Sequence, residues 1–313
     1  YGCEIESLIS KGFEIGFIKS ETKRYIEEAL LINPYITKIN KIDVEGMDNY
    51  LYGAGAIAHS TGQFSSTTAK NNTFADNEIT VKGPNVAEGL IFGDDCDDTK
   101  ILNNDLILDC DRMVYGINLE MSEKSTIKGN NIKINSNVAY GIEAFESDGN
   151  TIENNVIIGE GKVISGIAGV KTNNNVIQNN TITSKGSGDK TDFVVRDSVN
   201  APNSGVFITG VSKGNLIDSN IIETENGYPV DLATTATGNT VTYNYLKGKD
   251  GSGDDGVNNS KSNTVHDNYA SSFDNLVMDN ITAEYNTKFT VTVETEKAAN
   301  GANVQFRLGD LIL

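Results

Sequence analysis

The sequence predicts an all-β fold, a parallel β-helix with three strands in each coil of about 25 residues. Three observations predict it. First, GIEAFESDGNTIENNVI (141–157) is answered by GIAGVKTNNNVIQNNTI (166–182), with Gly141, Ile142, Asn150, Ile152, Asn155 and Ile157 each matched 25 residues later. A fixed period in the twenties belongs to solenoids, whose units bury their apolar faces only against their neighbours. Second, the asparagine of this unit recurs at Asn77, Asn104, Asn130, Asn155, Asn180, Asn220, Asn244 and Asn268. Three positions before each stands Phe74, Ile101, Ile127, Ile152, Ile177, Ile217, Val241 or Val265, and two positions after stands Ile79, Leu106, Ile132, Ile157, Ile182, Ile222, Leu246 or Ala270. Third, the apolar runs are short, rich in Ile, Val and Thr, and separated by Asn, Asp, Ser and Gly, which reads as strand and turn.

A third run begins about 14 residues before each marker, as in Gly89-Leu90-Ile91-Phe92, Gly116-Ile117-Asn118-Leu119 and Gly205-Val206-Phe207-Ile208. Equivalent residues then stack at roughly the 4.8 Å strand spacing, and eight coils make a rod of about 40 Å. The marker asparagines are expected to form an internal ladder of side-chain amides bonded from coil to coil. The marker intervals are 27, 26, 25, 25, 40, 24 and 24 residues, and the long one holds SKGSGDKTDFVVRDSVNAPN (184–203), an inserted loop by composition.

The 313 residues suffice for one large core and a second small unit. A 38% hydrophobic fraction without Trp suits a thin core of Ile and Val. The 43 acidic residues against 25 basic ones give a net charge of −18, which argues against a nucleic-acid groove and against an anionic membrane surface. No apolar run approaches the ~20 residues of a membrane span, so no membrane insertion is expected of this chain. Cys3, Cys96 and Cys110 have no metal-ligand spacing and read as isolated thiols, with a Cys96–Cys110 bridge as the alternative.

In chain order, residues 1–34 read as an irregular β-helix coil followed by an inserted helix. YGCEIES (1–7) echoes YGIEAFES (140–147), and SETKRYIEEALLINP (20–34) places Tyr25, Ile26, Ala29 and Leu30 on one helical face. Residues 35–272 are the β-helix repeats, with irregular coils at 35–44 and 50–59, clean ones at 72–183, and a weakened last coil after KGKDGSGDDGVNNSKSN (247–263), which reads as mostly turn. From 273 to 313 the repeat stops, and the period-two pattern of Phe289, Val291 and Val293 starts a β-sandwich that two or three strands cannot close. The chain reads as a piece cut at both ends.

The recurring G-I-x-x-x…N-T-I-x-N-N-x-I unit resembles the right-handed parallel β-helix repeats of the pectate-lyase-like superfamily over about 35–270. The tail ITAEYNTKFTVTV…GANVQFRLG is similar to the Ig-like repeats that follow such helices in adhesin-like surface proteins of methanogenic archaea. The resemblance implies an extracellular, wall-attached stalk or a glycan-binding surface. The same coils also serve lyases, hydrolases, epimerases and tailspikes, so function must be argued from residues.

Those residues give catalysis little. His59 and His266 are the only histidines, and neither precedes Gly. Gly93-Asp94-Asp95 has no matching Asp partner and no Arg-x-Lys clamp. A lyase needs a basic side chain beside calcium-binding carboxylates. Arg112 and Arg196, the arginines within the repeats, are two or more coils apart, Arg112 beside Asp109 and Asp111 and Arg196 in the inserted loop.

Two other features are candidate sites. Asp94, Asp95, Asp97 and Asp98 crowd one turn, and Glu120, Glu143 and Glu146 are expected to face outward on the following coils. A calcium ion among them is one reading and a solvated acidic face the other, and Asp250, Asp254 and Asp255 form a weaker version. Tyr115 and Tyr140 precede the Gly of adjacent coils and Tyr228 recurs later. With Glu143 they make either a sugar-binding aromatic stripe or a tyrosine pair that covers the sheet. The sequons at Asn71, Asn179, Asn258 and Asn280 allow glycosylation if the chain is exported. The expectation is a non-catalytic extracellular adhesin-like protein whose partner is a polysaccharide or cell-surface glycan. The alternatives are a polysaccharide lyase or a purely structural stalk.

Overall fold

A computed structural model describes residues 41–45, 50–57, 70–93, 96–188, 202–259, 262–270, 307–308 and 311–312. The helix expected at 20–34, His59, and the Ig-like tail lie outside these residues, apart from one antiparallel pair, Arg307–Leu308 with Leu311–Ile312. The rest is a parallel β-helix. Each coil contributes a three-residue strand to a first face, such as Thr151–Glu153, then a strand to a second face, such as Thr181–Gly186, and one to a third, such as Met113–Glu120. Asn131–Phe145 and Val156–Val170 run through the corner between second and third faces without a break.

The register follows the repeat. On the first face Phe74, Ile101, Ile127, Ile152, Ile177, Ile217, Val241 and Val265 stack in order. On the second, Ile79, Leu106, Ile132, Ile157, Ile182, Ile222 and Leu246 do the same. Both columns join one buried apolar core, in which each fully buried aliphatic side chain contributes about 1.5–3 kcal/mol. The last coil frays, with Val265 partly buried and Ala270 exposed, because no further coil packs against it among the described residues.

Two details differ from the sequence reading. Residues 35–44 and 50–59 were expected to be irregular, yet Lys41–Glu45 and Tyr50–Ile57 pair in regular register with Glu78–Lys82 and Val86–Gly93. Within the turn-rich stretch 247–263, Val257–Asn259 is a third-face strand paired with Val230–Leu232, and Val257 is buried. The glycine of the third run has a steric cause. A Cβ on Gly141 would stand 2.4 Å from the carbonyl oxygen of Gly166 and 2.4 Å from Ile157 Cγ2, so the coils close there only without a side chain. Cys96 and Cys110 both keep reduced thiols buried in the core. The bridge between them is not formed.

Two polar ladders run through the interior. From Asn104 to Asn244 each Nδ2 donates to the next asparagine Oδ1 at 2.9 Å, preceded by Asn77 to Asn104 at 2.7 Å and followed by Asn268. The backbone N–H of each donor residue reaches the same oxygen, as Asn155 does on Asn180. A second ladder, which sequence reasoning missed, lies five residues earlier: Asn215 Nδ2 donates to Asn239 Oδ1, and Asn239 Nδ2 to Asn263 Oδ1, both at 2.9 Å. Its signal was visible in the Asn150–Asn175 match. The first ladder ends on a carboxylate. Asp254 Oδ1 accepts from Asn268 Nδ2 at 2.8 Å and from its backbone N–H at 2.9 Å, taking the place of the next coil's amide.

Candidate functional site

The predicted site residues are dispersed by the fold. Tyr115 and Tyr140 are register partners on the third face and stack with ring centroids 5.4 Å apart. They are 6% and 2% exposed, so this pair offers no open aromatic platform. The column continues through Ser165 and Ser204 to a half-buried Tyr228, not as an unbroken stripe. Glu143, expected to face solvent, is fully buried. The reason is that third-face strands bury side chains on both sides, as Val86–Gly93 does at every position. Asn118 donates to Glu88 Oε2 at 3.0 Å and to Glu120 Oε1 at 3.3 Å, and its register partner is Glu143. Burial first, and the Glu88 charge second, push the Glu143 carboxyl up to about 8, so it carries a proton at neutral pH. Burial likewise raises the Tyr140 phenol well above its usual range.

The acidic turn resolves into separate pairs. Asp94 and Asp95 lie outside the described residues. Asp97 binds Lys70 Nζ at 2.7 Å and accepts the Glu123 backbone N–H at 2.8 Å. Partial burial opposes its ionisation, but the Lys70 contact prevails and holds the carboxyl below its usual range. Asp98 is exposed in a left-handed turn with φ 55°, and Glu146 pairs with Lys171 at 3.0 Å. Among the described residues no three His, Cys, Asp or Glu side chains come together to hold a metal ion. Calcium is not supported by this arrangement.

A different set of residues shares an open groove of about 580 Å³ at the corner between second and third faces. Four successive coils line it: Asp109 to Asp111, Asn135 to Asn137, Gly161 with Lys162, and Ser187 with Gly188. Asp109 is held by Asn135 Nδ2 at 2.9 Å, while Asp111, Asn137 and Lys162 are exposed. Cys110 and Ser136 form the floor, and the Ser136 hydroxyl is buried without a hydrogen-bond partner. Burial pushes the Cys110 thiol up to about 12, so it is no nucleophile. A Cβ at Gly161 would strike the Ser136 carbonyl oxygen, so glycine keeps this corner bare to the backbone. Sequence reasoning read Asp109 and Asp111 only as neighbours of Arg112 and missed the groove. Its signal was the spacing of 26 residues from Asp109 through Asn135 and Gly161 to Ser187.

No described helix is long and apolar enough to cross a membrane. No curated protein and no solved structure matches the chain. A family profile described as "Periplasmic copper-binding protein (NosD)" matches residues 30–250. Copper prefers thiolate, thioether and imidazole ligands, and the described residues do not fit it. Cys96 and Cys110 are buried in the apolar core, Cys96 donating to Gly93 O at 3.0 Å, and the His266 ring faces Asp267 at 2.7 Å and Thr242 at 3.3 Å. The family's periplasmic description accords with a non-cytoplasmic β-helix protein. Because the profile spans well over half of its residues, the chain belongs to the NosD family.

Proposed function

We propose that this chain is a non-catalytic, adhesin-like protein outside the cytoplasm that binds polysaccharide or cell-surface glycan along its β-helix. The groove from Asp109 to Gly188 carries this reading, because it offers carboxylates, amides, a hydroxyl and an amine along four coils. Such hydrogen-bonding groups with water-accessible geometry suit a polyhydroxylated ligand. The adhesin-like resemblance of the tail and the family's periplasmic description support the location. Non-catalytic binding is favoured because no histidine lines the groove, and Arg112, next to Asp111 in the chain, is not among its lining residues. The test is incubation with plant, host and microbial-wall polysaccharides, following both retention on the polymer and its chain length. Retention without shortening is expected. Shortening would replace this reading with a polysaccharide-degrading enzyme, and the absence of both with a structural stalk.

A further inference from the structure

Resting on that reading, we infer that the second face carries a further glycan surface, an uncharged stripe that takes a neutral polysaccharide by the flat sides of its sugar rings. Val156, Thr181, Ile221, Tyr245 and Tyr269 are register partners at one outward position of five successive coils. The same column begins with Lys41, Glu78 and Asp105, so it loses its charge along the rod. Val156 is 41% and Ile221 49% exposed, and contiguous exposed apolar side chains mark binding surfaces. The flanking positions are uncharged as well. Two residues on, Ile158 and Thr183 pair in register. Two residues back, Asn154, Asn179, Ser219 and Tyr243 share one left-handed turn conformation at the adjoining corner.

The ligand class follows from charge and size. The charges nearest the stripe cancel in pairs: Lys185 bonds Glu160, and Lys247 stands 3.8 Å from Glu223. Glu223 also accepts the Tyr245 hydroxyl at 3.3 Å, so the stripe offers a cationic polymer no open carboxylate. A polyanion is repelled by a chain of net charge −18. An uncharged polymer is what this field complements. The bond to Glu223, on the neighbouring strand, draws the Tyr245 ring along the sheet, where its face can meet a sugar ring. Thr181, Thr183 and Asn179 supply partners for sugar hydroxyls, directly or through water. Five coils at roughly 4.8 Å and three outward positions about 6.6 Å apart give a field on the order of 250 Å². A stable dimer buries about 800 Å² on each partner, so a second copy of the chain is a poor match for it.

The test is retention of the full chain on insoluble cellulose and mannan at low and high salt, with a polygalacturonate gel as the charged control. Retention is expected on the neutral polymers, unchanged by salt because no charge pair is there to be screened, and weaker on polygalacturonate. Ile221→Asp is expected to weaken retention about tenfold and Tyr245→Ala about fivefold. Thr126→Asp adds the same charge to the first face and is expected to leave retention unchanged. All three side chains are exposed or half-buried, so melting temperatures are expected to move little. Equal retention on polygalacturonate, or retention lost at high salt, overturns the ligand class. Retention that neither Ile221→Asp nor Tyr245→Ala weakens overturns this surface and leaves glycan binding to the groove. A dimer in sedimentation that Ile221→Asp dissociates makes a second copy the occupant and overturns the proposal as well. Retention on no polymer, here or in the wider panel, removes this surface together with the glycan-binding reading.

Discussion

Two corners of the β-helix treat polar side chains in opposite ways. Between first and second faces, asparagines turn inward and satisfy one another from Asn77 to Asn268, with the end sealed by Asp254. Between second and third faces, Asp109, Asp111, Asn137 and Lys162 turn outward, and the one inward hydroxyl, Ser136, is left without a partner. The first corner spends its hydrogen-bonding capacity on holding coils in register. The second keeps that capacity available for something else. The comparison teaches that a solenoid can specialise its corners without altering its core, because each corner is a separate column of equivalent positions.

The largest way to break this contrast is Asn155→Leu. It removes an amide that donates to Asn180 Oδ1 and to Ile127 O and whose oxygen receives two donors from Asn130. A loss on the order of 4 kcal/mol is expected, read as a lower urea midpoint and faster amide exchange centred on Asn130 and Asn180. Gly141→Ala is expected to cost about 3 kcal/mol, from the clash with Gly166 O, with the same readouts. Glu143→Gln sharpens the role of the closed third face. Its folded pKa is raised, so the wild type binds the extra proton when folded, and its stability falls as pH rises from the unfolded value near 4.5 to about 8. The Gln variant is therefore expected to be more stable than wild type by about 2 kcal/mol at pH 6, and by more up to pH 8, with the difference vanishing near pH 4 in melting curves. Asp254→Ala is expected to loosen only the terminal coil, by about 1–2 kcal/mol, seen as faster exchange of the Asn268 amide. Ser136→Ala is the smallest, with a stability change within about 0.5 kcal/mol, which is what an outward-looking corner requires.

The coil was legible in the sequence because inward positions are set by stacking, and stacking repeats Ile132, Ile157 and Ile182 at one offset. The site was much less so. Tyr115, Tyr140 and Glu143 sit at outward positions by period, and period carries no record of the burial on the outer side of the third face. The carboxylates of the acidic turn were read together, yet Lys70, from one coil earlier, takes Asp97 away from them. The groove escaped because Asp, Asn, Gly and Ser at Asp109, Asn135, Gly161 and Ser187 share no side-chain type. Only the corner they line unites them, because the register partners of Asn135 on the next two coils are Glu160 and Lys185.

The 40-residue step from Asn180 to Asn220 is closed by the same 2.9 Å amide contact as the 25-residue step from Asn155 to Asn180. The extra residues all fall between Thr181–Gly186 and Ser204–Thr209, the strands that flank the groove corner, and the strands on either side keep their register. Chain length at that corner is therefore uncoupled from the packing of the rod. Foreign peptides spliced there would be displayed beside the groove, and the protein becomes a scaffold whose reach can be lengthened without rewriting its interior.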